Sequence, residues 1–163
     1  MPTRPPTAAT KSAVTRWLTS SSPHPAVAYE AWQDHRPAML RTGDPYDAVR
    51  MPLALVHAAA DSSAPDVVAR VLAEVLDGPV ICHPRHWYYA LVPAGTCETW
   101  RSAEAVVRGP GAWLGIPRPD RKDPTPLNPY WAVPVEQAGK LCAPDTVAEL
   151  LRVARARLEG VAT

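Results

Sequence analysis

Tyr46-Asp47-Ala48-Val49-Arg50-Met51-Pro52 and Arg85-His86-Trp87-Tyr88-Tyr89-Ala90-Leu91-Val92-Pro93 bracket the segment that decides the fold. The first reads as a short strand over Tyr46–Met51, after which Pro52 opens a helix to about Ala60. A second helix follows, because Ser63-Ala64-Pro65-Asp66 combines capping-box spacing with a proline suited to a first helical turn. Val67, Val68, Val71, Leu72, Val75 and Leu76 then fall on one wide apolar stripe. Gly78 stands where a C-terminal cap belongs. Val80–His83 and Trp87–Val92 are two strands about a tight Pro84-Arg85 connection, which predicts an antiparallel pair.

Outward from this segment, proline and glycine punctuate the rest. Residues 1–10 are rich in Pro, Thr and Ala with no apolar period, and are expected to be a disordered or draped tail to a single domain over 11–163. Lys11–Thr19 predicts a short helix with Val14, Trp17 and Leu18 on one side. Ser22 as N-cap and Pro23 at the first helical position begin another, running to about His35 with Val27, Ala28, Ala31 and Trp32 as its apolar face. Arg36-Pro37 ends it, and Gly43-Asp44-Pro45 is a turn. Beyond Pro93, Thr96 caps a short helix carrying Trp100, and Gly109-Pro110-Gly111 turns into a strand over Trp113–Ile116. Pro117–Pro129 is a charged, proline-rich loop before a last strand, Tyr130–Val133. Pro144-Asp145 starts a final helix with Val147, Leu150, Leu151, Ala154 and Leu158 inward. These elements predict an α+β domain, a mixed or antiparallel sheet with flanking helices.

Composition bounds the function. The 163 residues suffice for one domain with a real core. Twenty prolines against 8 glycines, without period, cut the chain into short elements and exclude collagen-like or polyproline architecture. A net charge of +1 supplies no global field, so any affinity for nucleic acid must come from a local patch. No apolar run approaches a membrane span. The N-terminal stretch lacks a signal-type apolar core, and three scattered cysteines fit a reducing, cytoplasmic setting.

From Tyr46 to Val133 the order of elements resembles the primase–polymerase (Prim-Pol) domain of the archaeo-eukaryotic primase type, in the small divergent version found in actinobacterial genomes. Tyr46-Asp47-Ala48-Val49-Arg50-Met51-Pro52 lies where that family carries a hydrophobic strand with an Asp-x-Asp pair. Arg85–Pro93 is similar to its histidine followed by an aromatic strand ending in Val-Pro, and Gly109–Pro117 to its later Gly-rich turn and strand. The resemblance implies a Prim-Pol-like fold, a nucleic-acid or nucleotide ligand, and a phosphate-contacting role for His86.

Polymerase chemistry needs two carboxylates on one strand face to hold the metals that activate the hydroxyl and stabilise the leaving pyrophosphate. Here Asp47 is followed two residues on by Val49 and then by Arg50. Asp44 is three residues before Asp47 with Pro45 between, so a regular strand would send the two to opposite faces. The acidic motif therefore reads as degenerate. The leading expectation is a catalytically inert Prim-Pol-like protein that binds nucleic acid, a nucleotide or a protein partner without a cofactor. An active nucleotidyltransferase would use Asp44, Asp47 and His86 with Mg²⁺ or Mn²⁺. A third reading is a pure interaction protein using exposed Trp and the Pro117–Pro129 loop, its oligomeric state open.

The residues assigned to a nucleic-acid surface are Arg50, Arg85, His86, Trp87, Arg108, Arg118, Arg121 and Lys122. Each has a plainer alternative. Asp47 could bond nearby backbone amides, and His86 could simply occupy a hairpin turn. Strand alternation sends at least one of Trp87, Tyr88 and Tyr89 into the core. Asp120 and Asp123 dilute the loop cluster, and Glu149 and Glu159 flank the Arg152, Arg155 and Arg157 cluster, as on an ordinary solvated surface. Cys82, His83 and His86, with Cys97 or Cys142, lack zinc-ligand spacing, and adjacent Cys82 and His83 face opposite ways on a strand. No metal site is predicted.

Overall fold

Strand β2 (Tyr46–Pro52) pairs with β4 (Trp87–Pro93) over seven consecutive residues, from Tyr46 opposite Pro93 to Pro52 opposite Trp87. The computed structural model describes the backbone of residues 8–161 and the side chains of residues 11–160. Its remaining elements are α1 (Ala8–Leu18), α2 (Pro25–Gln33), β1 (Ala38–Arg41), α3 (Leu53–Ala60), α4 (Pro65–Leu76), β3 (Val80–His83), α5 (Thr96–Thr99), β5 (Val106–Arg108), β6 (Trp113–Ile116), β7 (Tyr130–Val133) and α6 (Pro144–Val161). Five strands form one sheet in the order β5-β2-β4-β3-β7, every neighbouring pair antiparallel. β1 and β6 form a separate two-stranded antiparallel ribbon.

β2 and β3 both run against β4, which lies between them, so they are parallel to each other. The α3–α4 crossover that joins them makes a split β-α-β unit. Side-chain alternation then divides the interior in two. Val49, Met51, Tyr88, Ala90 and Val80 meet Leu55 and Val56 of α3, Leu72 of α4 and Leu151 of α6. Tyr46, Ala48, Leu91, Ile81 and Trp131 meet Leu18 of α1, Trp32 of α2 and Leu114 and Ile116 of the ribbon. Covering on both faces explains why β2 and β4 are buried almost continuously. The buried indoles keep their N–H groups bonded, Trp32 donating to the Ile116 carbonyl at 2.9 Å and Trp131 to that of Pro117 at 3.0 Å. The expected α+β domain with an antiparallel sheet and flanking helices is the one observed. No helix among the described residues is long and apolar enough to cross a membrane.

Several local expectations are corrected. The expected tail over 1–10 lies mostly outside the described residues, and its last three, 8–10, belong to α1. α2 begins at Pro25, not Pro23, because the residue before a proline is kept out of the helical region and His24, at φ −135° and ψ 70°, precedes Pro25. Val27 consequently faces solvent. The capping box before α4 does not form: Ala64 is the N-cap, and its N–H donates to the Ser62 hydroxyl at 3.0 Å. Val75 is exposed, so only Val68, Leu72 and Leu76 are fully buried on α4. β1 and β5 went unpredicted, being four and three residues long and defined by their partners rather than by their own pattern.

Gly78 is not the left-handed residue that ends α4; Asp77 is, at φ 48°. Glycine serves a different purpose there. A Cβ on residue 78 would lie 2.5 Å from the Cys142 backbone nitrogen, which donates to the Leu91 carbonyl at 2.8 Å. Gly78→Ala should therefore push that segment off β4 and lower unfolding free energy by about 1–3 kcal/mol in urea titration.

Candidate functional site

Strand alternation settles the geometry of β2. Asp47 shares its face with Val49 and Met51, toward the helices, whereas Ala48 and Arg50 face the ribbon side. Asp47 is fully buried, and its Oδ2 accepts the backbone N–H of Cys97 at 2.9 Å, fixing the start of α5. Gly109 makes this approach possible, since a Cβ there would sit 2.5 Å from the Cys97 sulfur. Oδ1 has no hydrogen-bond partner among the described residues. Asp44 sits in the exposed turn after β1, so one carboxylate of the expected pair is buried and the other faces solvent. No group of three or more His, Cys, Asp or Glu among the described residues is placed to hold a metal ion.

The ribbon side of the sheet carries a different constellation. Arg50 lies over the Trp87 ring, its guanidinium carbon 4.4 Å from the ring centroid. Tyr89 is Arg50's cross-strand partner, and Arg108 opposite Ala48 points to the same face. Burial raises the Tyr89 phenol pKa, and the nearby Arg50 and Arg108 guanidiniums draw it partly back. Tyr89 packs edge-on against His83, whose Nε2 is 3.0 Å from the Gly115 carbonyl and donates to it, since a carbonyl can only accept. That bond ties the ribbon beside this row.

At the ribbon's other end, the Thr42 hydroxyl donates to the Gly109 carbonyl at 2.7 Å, next to Arg108. The ribbon's outer face there presents a second stacked pair, Arg41 over Trp113 at 4.9 Å, beside exposed Met39. Arg41, Arg50 and Arg108 have no carboxylate partner among the described residues. The ion pairs present engage Arg36, Arg118, Lys140, Arg152 and Arg155 instead.

Of the residues singled out in the sequence, the structure therefore gathers Arg50, Trp87 and Arg108. Tyr89 lies among them, and Arg41 with Trp113 forms a separate pair on the ribbon. Arg41 and Trp113 were missed because they meet only across β1–β6 pairing, and β1 has no β-branched residue to announce it. Arg85 and His86 occupy the exposed β3–β4 turn, and Arg85 borders a groove on the helix side of the sheet. Arg118 is paired with Asp120, and with Arg121 it flanks a depression beside His35 and Arg36. Lys122 borders a separate depression against α1. On α6, Arg152 pairs with Glu149 and Arg155 with Glu104, and Arg157 donates to the Ala58 and Ala59 carbonyls at the end of α3.

Two predictions concern these groups. Asp47→Ala removes the acceptor of a buried N–H and should cost about 1–3 kcal/mol of stability in urea titration, with Asp47→Asn costing less. Burial lowers the pKa of His83, opposed by its bond to Gly115 and assisted by nearby His86, and burial alone lowers that of His57. A histidine so held contributes stability that is complete above its unfolded value of 6.5 and is lost as pH falls through the lower folded value. Unfolding free energy should therefore decline as pH falls below the unfolded value of 6.5, and His83→Gln should flatten that decline.

No family model, no curated protein and no solved structure matches this chain.

Proposed function

We propose that this protein binds single-stranded nucleic acid on the ribbon side of its sheet, on a Prim-Pol-like scaffold that no longer transfers nucleotides. The observation that carries this reading is the stacked Arg50–Trp87 pair in line with Arg108, with no carboxylate partner among the described residues. Unpaired guanidiniums on one face are matched to successive phosphates, and indole rings and guanidinium planes are matched to unstacked bases. Arg41 over Trp113 offers the same chemistry on the ribbon itself.

Loss of catalysis is argued from direction. Asp47 points away from the basic face and is committed to the Cys97 amide, and Asp44 lies apart in a turn. Metal-assisted transfer needs carboxylates and phosphate-binding groups on the same side.

Fluorescence anisotropy with a labelled oligothymidine tests the proposal. Three arginine–phosphate contacts predict log K falling against log salt with a slope of about −2, at roughly −0.7 per contact on single strands. Trp87→Ala should weaken binding by about 5- to 100-fold, the range of one stacked base, and Arg50→Ala should do likewise. Absence of binding at low salt, or equal binding by Arg50→Ala and the parent, rejects the interface. Primer extension with Mg²⁺ or Mn²⁺ that Asp47→Asn abolishes would instead establish the nucleotidyltransferase.

A further inference from the structure

On the opposite, helix-covered side of the sheet, an open groove of about 510 Å³ lies at the hairpin end, between α3, the β3–β4 turn and the Pro124–Pro126 stretch. Its floor is a cross-strand row. Cys82 of β3 is register partner to Tyr88 of β4 on one side and to Tyr130 of β7 on the other. His57 of α3 forms a wall, its ring edge-on to Tyr88 with centroids 6.1 Å apart. Proline rings and Leu53 supply the remaining sides, and Arg85 stands at the rim. No carboxylate lines the groove.

Arg85 holds a left-handed backbone, φ 68°, where glycine or asparagine is the ordinary occupant. A long cationic side chain kept at a strained turn position beside a groove is the kind of outlier that points to function. The floor is uncharged at neutral pH. Burial raises the Tyr88, Tyr130 and Cys82 pKa values, which hydrogen bonding among the three also shifts, and burial lowers that of His57, so the two phenols stay protonated and engaged with the Cys82 row.

We propose that this groove binds a small aromatic monocarboxylate, its ring among the prolines and over the tyrosine floor and its carboxylate on Arg85. One cation with no carboxylate among the groove's lining residues matches one negative charge. A phosphate dianion would lack a second cation, and a neutral ligand would leave the guanidinium without its partner. The mostly apolar lining with a few polar groups is that of small-molecule sites. This site lies on the other side of the sheet from the nucleic-acid surface and stands or falls independently of it.

The probes are benzoate and its uncharged amide, benzamide, titrated into the full chain while the tyrosine and histidine side-chain resonances are followed by NMR. Benzoate should shift the Tyr88, Tyr130 and His57 signals saturably and bind at least about tenfold more tightly than benzamide, the value of one charge-assisted contact. Arg85→Gly should erase that preference. Its melting temperature should not fall, because glycine suits the turn. Arg85→Asn, also suited to the left-handed backbone, should behave in the same way. Equal affinities for the two probes, no saturable shift, or a preference that survives both substitutions would overturn the proposal.

Discussion

The seven-residue pairing of β2 with β4 is the constraint on which the remaining structure depends. It brings together two segments separated by two helices, and it inserts β4 between β2 and β3, so that α3 and α4 must lie across one face of the sheet. Because side chains alternate, the same pairing settles the destination of every residue on both strands. A slip of one residue would exchange Val49 and Met51 for Ala48 and Arg50 in the helix-side core. An arginine among Leu55, Val56 and Leu72 would cost far more than any local gain, so the register is strongly specified.

That division into two faces also separates the two surfaces. On the ribbon side of the sheet, Arg50, Trp87 and Arg108, each half-buried, collect around the buried Tyr89. The helix side is closed over most of its area by α3, α4 and α6, but the crossover leaves an opening at the hairpin end, floored by Tyr88, Cys82 and Tyr130. Asp47 belongs to the helix side, and its carboxylate organises the α5 turn. Small residues allow the close approaches that hold these parts in place, Gly109 at Cys97 and Gly78 at Cys142.

Much of the framework was legible in the chain. β2, the hairpin of β3 and β4, α3, α4, β6, β7 and α6 carry their own punctuation and periodicity, and the predicted pairing of β3 with β4 is the observed one. The mismatch of the two carboxylates was legible too, since Val49 stands two residues after Asp47 and Asp44 is three residues before it. The boundaries that went astray did so for identifiable reasons. Consecutive Pro-x-Pro spacing moved the start of α2, and Asp77 took the left-handed position that glycine usually fills.

Local pattern, which the sequence expresses directly, determined the α+β class, the aromatic hairpin and the unsuitability of Asp44 and Asp47 as a pair. Only the tertiary structure decided which cations are paired and which share a face. Ion pairing and helix capping engage Arg118, Arg152, Arg155 and Arg157, whereas strand register leaves Arg50 and Arg108 together on one face. The ribbon brings Arg41 and Trp113 together from segments about seventy residues apart along the chain. Such convergence depends on long-range pairing between short strands, and no window of sequence contains both partners.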